Sequence, residues 1–144
     1  MNPKKEVVID GKDLILGRMG SLIAKRLLMG ENITIVNCKD IILIGKKKFL
    51  INKYKGKREN NVIKKGPYFH RNSSDIVKRS IRTMLPYRNE RGIRALKNLK
   101  CYGSVPSTLI KTEKEVLTSA KVNFDSVFYY TKVGEISEVL GGKQ

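Results

Sequence analysis

Residues 7–36 read VVIDGKDLILGRMGSLIAKRLLMGENITIV, and the spacing of their apolar side chains changes twice. Val7 to Asp10 is a short apolar run typical of a buried strand, whereas the apolar residues from Gly17 to Met29 recur close to every 3.6 residues, as in a helix. Ile33 to Val36 is a second β-branched run. The succession of strand, helix and strand predicts a parallel βαβ unit with a right-handed crossover, and therefore an α/β fold.

Further elements are predicted along the rest of the chain. Strands are expected at residues 41–44, 99–102 and 127–131, helices at 46–57, 74–85, 89–98 and 134–140, and a weak helix at 113–121. Residues 55–65 are expected to form a polar, basic loop. Ser73, Ser74 and Asp75 offer cap groups for the helix that follows, and Pro86 is expected to end it.

The overall charge points to a polyanionic partner. The 144 residues fit one domain, predicted to span 1–144, and a hydrophobic fraction of 40% is enough for a folded core. Thirty Lys and Arg against thirteen Asp and Glu give a net charge of +17. Charge of one sign on this scale repels itself in the folded state, so we expect a polyanion to neutralise it.

The positive charge is concentrated in the middle of the chain. Residues 45–100 contain 18 Lys and Arg and only three acidic residues, a local charge of +15. Residues 1–44 carry +2, and residues 101–144 are neutral, with five basic and five acidic side chains. A solvated surface usually mixes the two signs, so this basic helical and loop region predicts contact with several phosphates. The near-neutral part from 101 to 144 is expected to close the fold.

Composition argues against several other classes of protein. Cys38, Cys101 and the single His70 are too few for an ordinary four-ligand zinc site, so we expect neither metal nor cofactor. The longest aliphatic run, Ile41 to Ile44, is far short of the roughly twenty residues of a membrane span. Met1 to Lys5 lead into a strand without the apolar segment of a signal peptide. A reducing cytoplasm is the expected location.

Two short motifs have both functional and structural interpretations. Gly17-Arg18-Met19-Gly20-Ser21 opens a helix, where backbone N–H groups and Arg18 are suited to a phosphate, but it lacks the P-loop spacing and the third glycine of a dinucleotide site. Its two glycines alone are also too weak a signal for a KH domain. In Gly66-Pro67-Tyr68-Phe69-His70-Arg71, Tyr68 or His70 can stack on an exposed base while Arg71 binds phosphate; core packing of Tyr68 and Phe69 is the alternative.

Several segments together resemble the ribosomal protein L13 (uL13) family, over most of residues 7–106. The matching segments are Leu16-Gly17-Arg18, Ala24-Lys25, Ile35-Val36-Asn37, Gly66-Pro67, Arg82-Thr83-Met84-Leu85-Pro86, Arg91-Gly92, Ala95-Leu96 and Leu99-Lys100. Thr83 stands where the family commonly has glycine. The ending Gly134-Glu135-Ile136-Ser137, with Leu140-Gly141, resembles the archaeal and eukaryotic branch.

The resemblance implies a three-layer α/β/α domain with a central four-stranded, largely parallel sheet. It also implies a structural protein without catalytic activity, bound to large-subunit rRNA beside other large-subunit proteins and involved early in subunit assembly. That place is cytoplasmic, with no membrane or small-molecule substrate, and no homo-oligomer is expected.

The residues predicted to bind rRNA are cations of the basic region, together with Arg18 and the two rings that can stack. They are Arg18, Lys46, Lys47, Lys48, Lys53, Lys55, Lys57, Arg58, Lys64, Lys65, Tyr68, His70, Arg71, Lys78, Arg79, Arg82, Arg88, Arg91, Arg94 and Lys97. Each cation is expected to neutralise phosphate on closely approaching rRNA segments.

Three alternatives remain at this point. A translational regulator outside the ribosome would use the same surface and strongly prefer one mRNA hairpin. A small nuclease or nucleotide-dependent transferase would use the Gly17 turn and show turnover. A DNA-binding module would use helices 74–85 and 89–98 as a helix-turn-helix and prefer duplex DNA.

Overall fold

A computed structural model describes residues 6–60 and 63–143 of the chain. In chain order the elements are β1 (Glu6–Asp10), α1 (Leu16–Leu28), β2 (Asn32–Val36), β3 (Ile42–Ile44), α2 (Lys47–Glu59), α3 (Ser73–Met84), α4 (Glu90–Lys97), β4 (Leu99–Cys101), β5 (Tyr130–Lys132) and α5 (Val133–Val139). Short 3₁₀ turns occur at Cys38–Asp40, Ser107–Leu109 and Thr118–Ala120.

The predicted βαβ unit is confirmed. β1 and β2 pair in parallel, with Val7 opposite Ile33 and Ile9 opposite Ile35. The buried residues of α1 recur at helical spacing and pack into the same core as the strands. Gly30 follows the helix with a φ of +96°, a conformation that glycine adopts without the steric cost of a side chain.

The sheet differs from the four-stranded one expected from the family resemblance. β1, β2 and β4 form a three-stranded parallel sheet, whereas β3 and β5 form a separate antiparallel pair. Along its outer edge β1 pairs with Glu115, whose backbone amide donates to the Val8 carbonyl at 2.8 Å and whose carbonyl accepts from the Asp10 amide at 3.0 Å. Because this pairing lasts for one residue, a fourth strand of the central sheet is not confirmed in the part of the chain that the structure describes.

The basic region forms three helices. α2 confirms the helix predicted at 46–57 and continues to Glu59, so the overlapping prediction of a loop at 55–65 was wrong as far as Glu59; residues 61 and 62 of that loop lie outside the described residues. Burial of Leu50 and Tyr54, one helical turn apart, fixes α2 on the core. α3 begins at Ser73 with Asn72 in the cap position, so the predicted serine cap was also wrong. α3 ends at Met84, one residue before the predicted end, because Leu85 before Pro86 is extended.

The C-terminal part was predicted less accurately. The weak helix at 113–121 was wrong, because this stretch holds only the single-residue pairing at Glu115 and the turn at Thr118–Ala120. The strand expected at 127–131 is β5 at 130–132, in which Thr131 is buried while Phe128 is exposed outside the strand. α5 confirms the predicted C-terminal helix within one residue at each end.

One hydrophobic core supports the basic helices from beneath. Ile9, Ile35 and Ile81 are fully buried in it, and α3 contributes its apolar face while its cations point outward. α5 joins the same core through Ile136 and lies close to Lys39, whose carbonyl oxygen would be 3.0 Å from a Cβ at Gly134. Among the helices described, none is long and apolar enough to cross a membrane.

Candidate nucleic-acid interface

The predicted cations lie at the surface. Fifteen of the eighteen are exposed, and the other three, Arg58, Lys78 and Arg79, are half-buried. α2 carries Lys47, Lys48, Lys53, Lys55, Lys57 and Arg58; α3 carries Lys78, Arg79 and Arg82; and α4 carries Arg91, Arg94 and Lys97. Lys46, Lys64, Lys65, Arg71 and Arg88 lie in the connections, while Arg18 lies in the first turn of α1. The region is therefore a basic surface on a packed body.

Phe69 joins α2 to α3 within this surface. The Lys57 ammonium lies 5.6 Å and the Arg79 guanidinium carbon 4.7 Å from the centre of its ring, and the Tyr54 ring meets it edge-on at 5.8 Å. Such contacts hold long cationic side chains against an aromatic face. The two aromatic residues for which core packing was the alternative differ. Phe69 packs partly against the core, whereas Tyr68 is 65% exposed.

Two clefts flank Phe69. The Tyr68 cleft, of about 590 Å³, is lined by Lys55, Arg58, Glu59, Tyr68, Phe69, Arg71 and Val139. The smaller His70 cleft, of about 190 Å³, is lined by His70, Asp75, Lys78, Arg79, Arg82 and Leu96. The structure thus brings both predicted stacking residues beside predicted phosphate-binding cations, each in a separate recess.

The corner between α3 and α4 depends on Gly92. A Cβ at this position would overlap the Pro86 carbonyl group and lie 3.0 Å from the Tyr87 nitrogen. The Tyr87 ring in turn lies 4.9 Å from the guanidinium carbon of Arg82 and 5.9 Å from that of Arg88. Tyr87 was not predicted as part of the site, although an aromatic residue between Pro86 and Arg88, next to a cation, could have indicated it.

Thr83, where the resemblance implies a glycine, lies on the exposed side of α3. Its side chain is exposed on α3, and its hydroxyl donates to the Ser80 carbonyl at 2.7 Å. The tight contact of this motif lies instead at Gly92.

Some predicted cations are already engaged within the protein. Arg58 donates from Nη1 to the Leu140 carbonyl at 2.6 Å, and the Lys47 ammonium lies 2.5 Å from the Glu135 carboxylate. Arg94 pairs with Glu90 one turn earlier on α4. The two exposed ion pairs, of Lys47 and of Arg94, contribute little to stability. The Arg58 contact was missed because its partner is 82 residues away in sequence.

Desolvation and neighbouring positive charges both act on Lys57 within the basic surface. Partial burial, followed by the nearby charges of Lys53 and Arg79, lowers the pKa of Lys57. Lys132 in β5 shows the opposite effect, because a hydrogen bond from its ammonium to Asp40 raises its pKa. A bound polyanion would offset the part of this effect that comes from the charges of Lys53 and Arg79.

A polyanion is therefore expected to raise the pKa of Lys57. Anionic charge beside the ammonium favours its protonated form and offsets the repulsion from Lys53 and Arg79. NMR titration of the lysine side chains, with and without base-stable inorganic polyphosphate, measures this shift. Lys132 is the matched control, because Asp40 already supplies its counter-charge. An unchanged Lys57 pKa in saturating polyphosphate would contradict binding at this surface.

The glycine motif at the start of α1 is a packing motif. A Cβ at Gly20 would lie 2.8 Å from the Met84 sulfur, so the glycine leaves room for the end of this α3 side chain against α1. Gly17 is exposed, with open space around it, and Arg18 points to the surface nearby. The nearby Met84 side chain accounts for a glycine at position 20 without invoking a bound nucleotide.

Cys38 and Asp75 have structural places in the fold. A hydrogen bond with the Cys101 thiol and burial both raise the pKa of Cys38, which keeps that thiol protonated. In residues 6–60 and 63–143, no group of three or more His, Cys, Asp or Glu side chains is placed to hold a metal ion. Asp75 accepts a hydrogen bond from the Asn72 amide at the start of α3, as befits a helix terminus.

Comparison with known proteins agrees with the family resemblance. The family model of ribosomal protein L13 matches residues 4–108. The large ribosomal subunit protein uL13 of Picrophilus torridus is 40% identical over 135 residues, covering 94% of this chain and 96% of that protein. The proteins of the same name from Methanosarcina barkeri and Methanocaldococcus jannaschii are also 40% identical, each covering 94% of this chain and 98% of its own length. This chain therefore belongs to the ribosomal protein L13 (uL13) family.

Proposed function

We propose that the chain is a structural constituent of the large ribosomal subunit that binds folded large-subunit rRNA and supports subunit assembly. The observation that carries the proposal is the basic surface, in which fifteen of eighteen predicted cations are exposed on α1, α2, α3, α4 and their connections. Family membership agrees, because its members are named as large-subunit proteins and not as enzymes. The place of action is the large subunit in the cytoplasm.

The proposed mechanism is phosphate neutralisation from a rigid support. Cations on α3 stand on a helix whose opposite face is buried through Ile76, Val77 and Ile81, so their separation is fixed before RNA arrives. Contacts to phosphate set position and orientation more than sequence preference. A fixed array therefore favours folded RNA whose strands present phosphates at matching distances.

The proposal also covers the domain organisation, the neighbouring proteins and the fourth strand. Residues 1–144 act as a single rRNA-binding domain, and the chain works as one copy beside other large-subunit proteins. The near-neutral part from 101 to 144 is suited to such neighbours, because Phe128 is 88% and Tyr129 59% exposed there. The two hydrogen bonds between Glu115 and β1 support a fourth strand in a three-layer α/β/α arrangement.

Sedimentation of the native protein tests the ribosomal assignment. A cell lysate is run on a sucrose gradient before and after a high-salt wash, and co-migration with the large subunit that persists in moderate salt is expected. Migration only as a free small protein would overturn the assignment. Strong preference for one mRNA hairpin over large-subunit rRNA would then favour the translational regulator.

Neutralising three cations of the basic surface is expected to weaken rRNA binding about tenfold or more and to reduce the slope of log affinity against log salt by about two to three. The variant replaces the exposed Lys48, Lys53 and Arg91 by glutamine. Filter binding to a large-subunit rRNA transcript over a range of salt measures both quantities.

The control removes the same charge elsewhere. Lys111, Lys121 and Lys143 are exposed in the near-neutral part, and their replacement by glutamine changes the net charge equally. This control is expected to bind nearly as the native protein does. Equal losses for both triple variants would mean that overall charge, not the proposed surface, drives binding.

A further inference from the structure

The Tyr68 cleft has a lining that a phosphate-binding surface alone does not need. α2 supplies Lys55, Arg58 and Glu59, the segment before α3 supplies Tyr68 and Arg71, and α5 closes one side with Val139. Its volume of about 590 Å³ is within the roughly 300–1,000 Å³ of pockets that enclose small organic groups. It is therefore large enough for a whole nucleotide.

The walls of this cleft are held before any ligand binds. Arg58 is fixed by its 2.6 Å hydrogen bond to the Leu140 carbonyl, and the main chain at Arg71 is fixed by the Ser137 hydroxyl, which donates to its carbonyl at 2.7 Å. Gly142 packs against the same Arg71 carbonyl group, where a Cβ would overlap it. The C-terminal residues thus hold the Arg58 side chain and the Arg71 main chain in place, which lowers the entropic cost of binding.

Tyr68 provides an aromatic face at this site. Its side chain is 65% exposed although the neighbouring Phe69 packs inward, and its carbonyl accepts a hydrogen bond from Arg79 at 3.5 Å. A tyrosine held with its ring in solvent beside cations is the arrangement on which unpaired bases stack.

The charges favour a nucleotide over a bare phosphate. Lys55, Arg58 and Arg71 attract an anion, while Glu59 in the same lining repels one. A carboxylate can instead accept hydrogen bonds from the N–H groups on the edge of a base. Cations for the phosphate, a ring for the base face and an acceptor for the base edge together match one nucleotide.

We infer that the Tyr68 cleft receives a single unpaired nucleotide of large-subunit rRNA, stacked on Tyr68, with its phosphate bound by Arg58 and Arg71. This rests on the proposed function, since the rest of the RNA lies on the basic surface. It adds a point of shape selection, because a continuous duplex cannot offer an extruded base to a recess. The cleft would thereby fix the register of the protein on its RNA.

Two hairpin RNAs test the inference on the full-length protein. They are identical except that one carries a single bulged adenosine and the other is fully paired. The native protein is expected to bind the bulged hairpin roughly tenfold more tightly, as expected for one base–aromatic stack. Tyr68→Ala is expected to abolish this preference, whereas Tyr68→Phe keeps it. Phe128→Ala, which removes an exposed ring outside the cleft, is expected to keep it as well.

Each remaining outcome separates the two proposals. Equal, salt-dependent binding of both hairpins by the native protein would overturn the nucleotide site and leave the phosphate-binding surface standing. Absence of salt-dependent binding to either hairpin would overturn the proposed function itself. Direct titration with adenosine monophosphate distinguishes a free nucleotide from one in RNA: tighter binding of the monophosphate than of the bulged hairpin would overturn the assignment to rRNA.

Discussion

Gly92→Ala is expected to lower the free energy of unfolding by about 3 kcal/mol, because a Cβ there overlaps backbone atoms that cannot move independently. The carbonyl group of Pro86 occupies that space, and the same carbonyl oxygen accepts the Asn89 amide at 2.9 Å. Relief requires the corner between α3 and α4 to open. Thermal unfolding followed by circular dichroism is expected to show a midpoint lower by roughly 10 °C.

Gly17→Ala is the matched control for this change. Gly17 is also helical, but a Cβ there meets no atom within 4 Å, so alanine is expected to be neutral or slightly stabilising. The opening at Gly92 also displaces Tyr87, which lies against Arg82 and Arg88, so weaker rRNA binding is expected while the protein is still folded. Native stability of Gly92→Ala would contradict the close approach.

The sequence was most informative where an element and its partner are close along the chain. The apolar residues of β1, α1 and β2 follow two distinct periods within residues 6–36, and parallel pairing follows from a single crossover helix. Pro86 likewise marked the end of α3, because proline acts on the residue directly before it. Local rules of this kind need no knowledge of the tertiary fold.

Elements whose partners are distant were predicted poorly. Phe128 and Tyr129 have high β-propensity, yet β5 begins at Tyr130 because its register is set by pairing with β3, with Ile42 opposite Lys132. The stretch around Glu115 pairs with β1 for one residue only and forms no helix. In both cases packing against a remote strand determined the conformation.

The candidate site was predictable in composition but not in arrangement. Charge counting placed the cations in residues 45–100, and the structure puts all of them at the surface. Counting charges did not indicate that Phe69 would bridge α2 and α3, or that the Leu140 carbonyl would hold Arg58. Arg58 and Leu140 are 82 residues apart, and the contacts of Phe69 depend on how α2 and α3 pack, which neither charge nor periodicity can reveal.

Ile81→Ala is expected to lower the free energy of unfolding by about 2–5 kcal/mol, the range for a large aliphatic side chain removed from a packed core. Ile81 is fully buried beneath α3, whereas Arg82, the next residue, is exposed to solvent. The variant therefore weakens the support of the basic helix without removing a cation. Urea unfolding measures the loss of stability, and filter binding at low temperature measures rRNA affinity of the folded variant.

Ile110→Ala makes the same chemical change at a residue that is 62% exposed, and its effect is expected to stay within about 0.5 kcal/mol. Folded Ile81→Ala is expected to keep most of its rRNA affinity, since every phosphate contact remains. The glutamine variant of Lys48, Lys53 and Arg91 is expected to do the reverse, losing affinity while keeping or gaining stability as repulsion falls. A loss of both properties in both variants would mean that the basic surface and the core are not separable, contrary to a preformed core that presents cations to RNA.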